Sequence, residues 1–299
     1  MTTRPRSALV PVLTIVAAIV AIWYGCAVLL NAPFERDQAE RLGKETSWSN
    51  VLPATMAQDR PVLPAPHQVA QEIWKTTGEM VQKGRPFSKR SLIYHAWVTL
   101  SVTLLGFIMG TALGILLAVG IVHSRVLDKS LMPWIITSQT IPILALAPMI
   151  IVVLNSVGIQ GLFPKAVIST YLSFFPVAVG MVKGLRSPEA MHLDLMKTYS
   201  ADRSETFWKL RLPASMPFLF TSMKVAIAAS LVGAIVGELP TGAVAGLGAR
   251  LLAGSYYGQT VQIWSALIAA AILAGLLVAL VGWVGNRINR RMGAREAMA

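Results

Sequence analysis

Cysteine occurs once in 299 residues, acidic side chains only 14 times and histidine four times. Each scarcity closes off a line of chemistry. A lone Cys26 inside an apolar run excludes an intrachain disulfide and a cluster of thiolate metal ligands. His67 and His95 have no partner at metal-ligand spacing, which leaves them ordinary polar roles at an interface. The nucleotide-binding pattern G-x-x-x-x-G-K-[ST] is missing, because Gly43-Lys44 is followed by Glu45 and has no upstream glycine. There is no G-x-S-x-G elbow, no H-E-x-x-H pair, and no pair of carboxylates within an apolar run. Neither an enzyme nor a pump with its own ATPase finds its residues here, and no bound cofactor is implied.

Apolar side chains are what the chain has in excess. It is 55% hydrophobic and 13% charged, with a mean hydropathy of +0.60, too apolar for an ordinary soluble domain. Crossing a hydrocarbon core takes roughly 20 apolar residues of helix. Six such runs are expected, at 8–30, 94–122, 131–155, 162–183, 214–238 and 260–285. The fold class read from them is an all-α polytopic membrane protein with both termini on one side. A signal peptide does not suit the first run, because its roughly 23 residues exceed an h-region of about 7 to 15. Trp23-Tyr24-Gly25-Cys26 is only weakly similar to a lipoprotein cleavage site, with aromatics where aliphatic residues are expected.

Net charge is +12, carried in short segments between the apolar runs and at the ends, which suits an anionic membrane surface and not nucleic acid. Arg4 and Arg6 precede the first run, and Arg125 and Lys129 follow the second. Arg186, Lys197, Arg203, Lys209 and Arg211 follow the fourth, and Arg287, Arg290, Arg291 and Arg295 end the chain. All fall on one face, which the short-loop rule makes cytoplasmic. The opposite short loops offer only Lys165 and Arg250. The organisation expected is a first span at 1–30, an outer segment at 31–93, a five-helix core at 94–285 and a basic cytoplasmic tail at 286–299. Within the outer segment, Pro66 fits a first helical turn. Val69, Ile73 and Met80 share a face with Trp74 beside it, which predicts an amphipathic helix along the membrane surface.

One long polar stretch interrupts this pattern, GLRSPEAMHLDLMKTYSADRSETFWKLRLPASMP at 184–217. Ser187, Pro188 and Glu189 predict a helix start, with the helix running from 188 to about 199. Met191, Leu195 and Tyr199 recur at i, i+4 and i+8 and form one apolar stripe. Asp202 and Glu205 have capping-box spacing for a second helix through Leu210, and Pro213 marks the turn into the next span. Pattern alone leaves two readings open, a docking element for a partner groove or a loop resting on lipid.

The stretch resembles the EAA loop of bacterial ABC importer permeases. The motif maps onto Asp194-Leu195-Met196, then Ser200 followed by Ala201, then Leu210-Arg211-Leu212-Pro213, with Asp for Glu and Ser for the usual Gly. Because glycine enters a left-handed turn easily and serine does not, the turn here is expected to differ in detail. Leu63-Pro64-Ala65-Pro66, TLLGFIMGTALGILLAVGI, IPILALAP and VGELPTGAVAGLG are similar, in order, to the nitrate, sulfonate and taurine type of importer permease. The resemblance implies two cytoplasmic ABC ATPase subunits, an external solute-binding protein, and a second permease copy or a paired permease. It implies that Met191, Asp194, Leu195, Met196, Tyr199, Ser200 and Ala201 form the ATPase-coupling element. It does not fix a solute; the GELPTGAVAGLGARL segment is also similar to permeases for pyrimidine-like or vitamin-precursor compounds. A secondary transporter or channel would need repeated broken helices or membrane-buried charged pairs, which the sequence does not display clearly.

Ionisable and polar groups inside the spans are candidates for a translocation path, since a charge at the membrane centre costs about 2.5 to 3.5 kcal/mol on insertion scales. Glu238 ends the fifth run beside Pro240 and a glycine-rich loop, where lining a pore or gate and simple exposure at the outer interface are both open. Gln139, Thr140 and Pro142 in the third resemble a polar interruption next to a helix break, with hydrogen bonding between helices as the other reading. Lys224 is expected to extend to the cytoplasmic surface. Gly106, Gly110 and Gly114, four apart, predict close helix packing and no solute contact.

Overall fold

A computed structural model describes residues 9–43, 47–240 and 244–292. Arg4, Arg6 and Arg295, on which part of the orientation reading rests, lie outside the described residues, as do residues 241–243 of the glycine-rich loop. Every regular element among the described residues is helical. Five helices are long and apolar enough to cross a membrane, and a bent pair makes a sixth crossing if counted as one. The chain forms two compact units, Met1–Tyr94 with Arg250–Ile268, and His95–Ala249 with Ala269–Ala299.

The first unit is built on α1 (Leu9–Arg41), α2 (Trp48–Ala57), α3 (Pro66–Thr76) and α4 (Gly78–Gln82). Helix α1 continues through Pro33, well beyond the apolar run. Its inner face secures the proline-rich segment at 61–66, which cannot form its own backbone ladder. Buried Asn31 donates to the Leu63 carbonyl (2.9 Å) and accepts from the Val62 N–H (2.8 Å), while Trp23 Nε1 donates to the Pro64 carbonyl (3.0 Å). Helix α3 opens with Pro66 in its first turn, and the Gln68 side chain accepts the Ala65 N–H. Its Val69 is buried, and Trp74 is exposed. The ring of His67 stacks on Tyr24 and lies 3.1 Å from the Met56 carbonyl, an ordinary polar role.

The second unit holds α5 (Leu92–His123), α6 (Arg125–Ser138), α7 (Ile143–Ser156), α8 (Leu162–Leu185), α9 (Ala190–Thr198) and α10 (Arg203–Thr206). After a π turn at Phe207–Arg211 come α11 (Leu212–Glu238), α12 (Leu247–Tyr256) and α13 (Thr260–Arg291), although α5, α12 and α13 each also contribute residues to the first unit. The core is the seam of α5, α8 and α11. Val177, Met181, Ala226 and Ile227 are buried there beside a line of buried hydroxyls. In lipid, apolar contact alone gives helices no preference for each other over acyl chains, so close approach and interhelical hydrogen bonds must supply it. Both are present. The expected glycine stripe holds: side chains at Gly106, Gly110 and Gly114 would collide with Ser169, Ser173 and Val177 of α8. Ser230 donates to the Thr103 carbonyl (2.8 Å), which leaves Ser169 as the donor toward Ser230.

The third span is corrected. It is not one helix but two, α6 and α7, bent by 103° at the break. Pro142 has no N–H to donate and biases Ile141 away from the helical region, and the hydroxyls of Ser138 and Thr140 bind the carbonyls of Ile135 and Thr137 just before it. The π turn has a related cause: Pro213 cannot donate to the Lys209 carbonyl, and the Leu212 N–H reaches back five residues to Phe207. The fifth span is therefore continuous with the polar stretch before it, from Arg203 to Glu238. Lys224 lies over Gly282 of α13.

The seam is tested at a glycine that faces a backbone carbonyl. A Cβ at Gly114 would sit 2.8 Å from the Phe174 carbonyl oxygen and 2.8 Å from Val177 Cβ, whereas one at Gly275 meets nothing within 4 Å. Gly114→Ala is expected to destabilise the protein by about 1 to 3 kcal/mol. Gly275→Ala should be neutral or up to about 1 kcal/mol stabilising, as read by thermal unfolding in detergent.

Candidate functional site

Two places in the second unit concentrate polar chemistry. The first is the polar stretch. Ser187 does not cap its helix: its hydroxyl donates to the Gly184 carbonyl (2.7 Å), closing α8. The expected start at Pro188 is therefore corrected. Helix α9 begins at Ala190 behind an extended Glu189, because Ser187 is spent on the preceding helix. Met191, Leu195 and Tyr199 are 71%, 51% and 78% exposed, an apolar stripe that no other part of the chain covers among the described residues. Met196 and Ala201 are half-buried, and Asp194 pairs with Lys197 at 2.8 Å on an exposed flank.

The end of α9 settles the matter of the serine. Ser200 takes φ 54°, the left-handed conformation that glycine usually supplies. The Ala201 N–H donates to the Met196 carbonyl (3.0 Å) and the Ser200 N–H to that of Lys197 (2.8 Å), the paired bonds of a Schellman cap. Ser200 thus adopts a left-handed backbone at the position where the resemblance has glycine. Asp202 and Glu205 form the predicted capping box: the Glu205 N–H donates to Asp202 (2.6 Å) and the Asp202 N–H to Glu205 (3.2 Å). Its helix ends at Thr206 and not at Leu210, since the π turn takes over. The Arg186–Asp128 ion pair (2.9 Å) brings two of the basic short loops to the same end of the unit.

The second place is Glu238, at the last turn of α11 and fully buried. Its carboxyl group accepts from Thr99 Oγ1 of α5 (2.8 Å) and from the Gly248 N–H (2.8 Å). Thr99 Oγ1 in turn accepts the Leu247 N–H (2.8 Å), and the Gly246 N–H donates to Nδ1 of His95 (3.0 Å). A returning backbone segment is thereby satisfied by side chains from two helices, as it must be where water is scarce. The carboxyl also explains the Gly-Leu-Gly sequence. Gly246 has φ +123°, and a side chain there would strike the Glu238 carboxyl; one at Gly248 would strike the Ile235 carbonyl, while Leu247 between them is fully buried. His95 is buried in this knot, which corrects the expectation of an interfacial role. Nothing in the sequence joined His95 and Thr99 to Glu238; the signals were a hydroxyl in an apolar run and two glycines flanking one leucine.

Gln139 and Thr140 sit apart from that knot, at the break between α6 and α7. Thr140 is exposed and Gln139 half-buried, with its amide 3.3 Å from Ser138 Oγ. Tyr171 of α8 donates to the Ser138 carbonyl and so holds the break against the core.

Comparison with known proteins gives the chain's family. The family model described as "Binding-protein-dependent transport system inner membrane component" matches residues 110–294. The formylaminopyrimidine transport permease protein ThiX of Halalkalibacterium halodurans is 29% identical over 170 residues, 57% of this chain and 66% of that protein. The nitrate import permease protein NrtB of Leptolyngbya laminosa is 26% identical over 246 residues, 81% of this chain and 82% of that one. Among solved structures, a chain from inward-facing conformations of the MetNI methionine ABC transporter is similar in fold. Its TM-score is 0.56 at 21% identity, covering 67% of this chain and 95% of that one.

Glu238→Gln tests the knot. An amide keeps one acceptor and places an N–H₂ where Thr99 or Gly248 already donates, so one buried donor loses its partner at a cost of about 1 to 3 kcal/mol. The variant should insert, unfold at a lower temperature and become easier to cleave in the segment around residues 244–248; an unchanged melting temperature and protease pattern would contradict the assignment.

Proposed function

Because the chain belongs to the binding-protein-dependent transport system inner membrane component family, as a permease subunit of an ATP-driven ABC importer, we propose that α9 is where cytoplasmic ATPase subunits act on it. The observation that carries this reading is the uncovered stripe of Met191, Leu195 and Tyr199. The helix bearing it is ended by a Schellman cap and followed by a capping box. Those two caps fix the direction of α9 relative to the long helix that follows. Asp194, Met196, Ser200 and Ala201 shape the element, and the Arg203–Glu238 helix offers a continuous lever from it into the membrane. ATP chemistry belongs to the partner; this chain supplies no catalytic group.

In this reading the chain works beside a second permease copy or a paired permease, with lipid around the remaining apolar faces. An external binding protein delivers a small polar solute of the kind named for its relatives, formylaminopyrimidine or nitrate. Gln139 and Thr140, polar at a break in a span, border the translocation path. Glu238 governs it by holding the returning segment closed over α5 and α11. The chain resides in the bacterial inner membrane with both termini cytoplasmic and residues 31–93 outside, a direction supported by the basic short loops.

Burial of one stripe side chain stabilises a complex by roughly 1.5 to 3 kcal/mol. Swinging a two-state transporter from about 1:99 to 99:1 takes roughly 5.5 kcal/mol of differential binding, so one lost anchor matters. Leu195→Asp is expected to insert normally and lose copurifying ATPase or solute-stimulated ATP turnover, because it would bury an unpaired carboxylate. Lys197→Gln should do far less. Equal copurification and equal transport for both variants would refute α9 as the coupling element.

Orientation has its own test. In a Cys26→Ser background, a cysteine at position 59 should react with a membrane-impermeant maleimide added to intact cells, while one at position 187 should react only after lysis. Labelling of position 59 only from the cytoplasm would invert the map.

A further inference from the structure

The segment Lys83-Gly84-Arg85-Pro86-Phe87-Ser88-Lys89-Arg90 carries four cations and no acid, and it ends two residues before α5 begins. Neither the coupling loop nor the Glu238 knot uses it. Its backbone is set by the chain itself. Gly84, at φ +66°, ends α4; the Arg85 N–H donates to the Met80 carbonyl (2.9 Å) and the Ser91 N–H to that of Ser88 (2.9 Å). The Arg90 carbonyl is held from the other side by Arg250 (3.1 Å), whose guanidinium also pairs with Glu72 (3.2 Å). The result is a hollow of about 700 Å³ lined by Met80, Lys83, Arg85, Ser88, Lys89 and Arg90. Glu79 pairs with Lys83 (2.7 Å). Phe87 projects beside the cations and is 63% exposed.

Helix length places this hollow. At about 1.5 Å per residue, a helix of α5's length is about 48 Å long, against roughly 30 Å of hydrocarbon and about 40 to 45 Å with the headgroup layers; α5 has 32 residues. Its first turn, and the loop just before it, therefore stand at headgroup level. Concentrated positive charge with an exposed aromatic ring at that level suits a phosphate with an apolar body below it. We propose that the hollow binds the phosphate of an anionic phospholipid headgroup, phosphatidylglycerol being the simplest, with Arg85, Lys89 and Arg90 as the cationic rim and Phe87 against the glycerol and acyl region. The site would fix the first unit at the bilayer surface independently of the transported solute.

The test uses the full-length chain in nanodiscs of phosphatidylcholine with and without phosphatidylglycerol, read by native mass spectrometry of retained lipid. The wild type should retain phosphatidylglycerol over phosphatidylcholine. Arg85→Gln combined with Arg90→Gln should reduce that preference about 30-fold, the equivalent of about 2 kcal/mol at about 1 per surface cation. Lys75→Gln, an exposed cation on α3 outside the hollow, should leave it unchanged. Equal retention of both lipids, or a preference that survives the double variant, would overturn the proposal. Displacement of the lipid by millimolar inorganic phosphate would assign the hollow to a free anion instead. Loss of binding-protein affinity in the double variant, with lipid retention intact, would assign it to a protein partner.

Discussion

In a hydrocarbon solvent, helices of leucine and valine gain nothing by leaving lipid for each other, so this protein's order depends on how closely α5, α8 and α11 approach. Three glycines of α5 admit Ser169, Ser173 and Val177 of α8, and Ser169 reaches α11. The hydroxyls do a second job. Thr103, Ser230 and Ser169 pass hydrogen bonds from helix to helix through the seam, and Thr99, one turn earlier on α5, extends the line to Glu238. Packing and polar satisfaction are thus achieved by the same small residues. A larger side chain would break both.

That seam gives the two polar places a common frame. Glu238 lies at one end of α11, and the π turn and the polar stretch lead into the other, so one helix from Arg203 to Glu238 links them. Pro213 and Pro217 soften the helix near its polar end. The carboxyl knot stiffens the opposite end by closing a returning segment onto α5.

The lower-energy details follow the same economy. Ser200 keeps a left-handed turn at the end of α9 even though glycine would enter it at less cost, which implies that the turn's direction is worth the strain. Proline recurs where no N–H is wanted: at the start of α3, at the break before α7, and at the start of α11. At the break before α7 the chain changes direction, whereas at the start of α11 the helix runs on through the π turn. Side chains such as Asn31, Trp23 and Tyr171 then complete the backbone's bonds.

Hydropathy, short-loop charge and a few caps were legible from the sequence because each is a local property: helix length follows from apolar run length, and a capping box from two residues three apart. The six apolar runs, the stripe on α9, the Asp202–Glu205 box and the glycine face of α5 could all be read that way. Tertiary structure decided whatever depends on partners distant in the chain. Whether Ser187 caps the helix after it or closes the one before it depends on which carbonyl lies nearer. The break near Pro142 was marked in the sequence by Gln139 and Thr140, but that Tyr171, 33 residues past Ser138, completes its backbone bonds was not. That Glu238, Thr99 and His95 meet over two glycines could not be read from spacing, because the residues that satisfy a buried polar group are chosen by the packing of helices and not by their order along the chain.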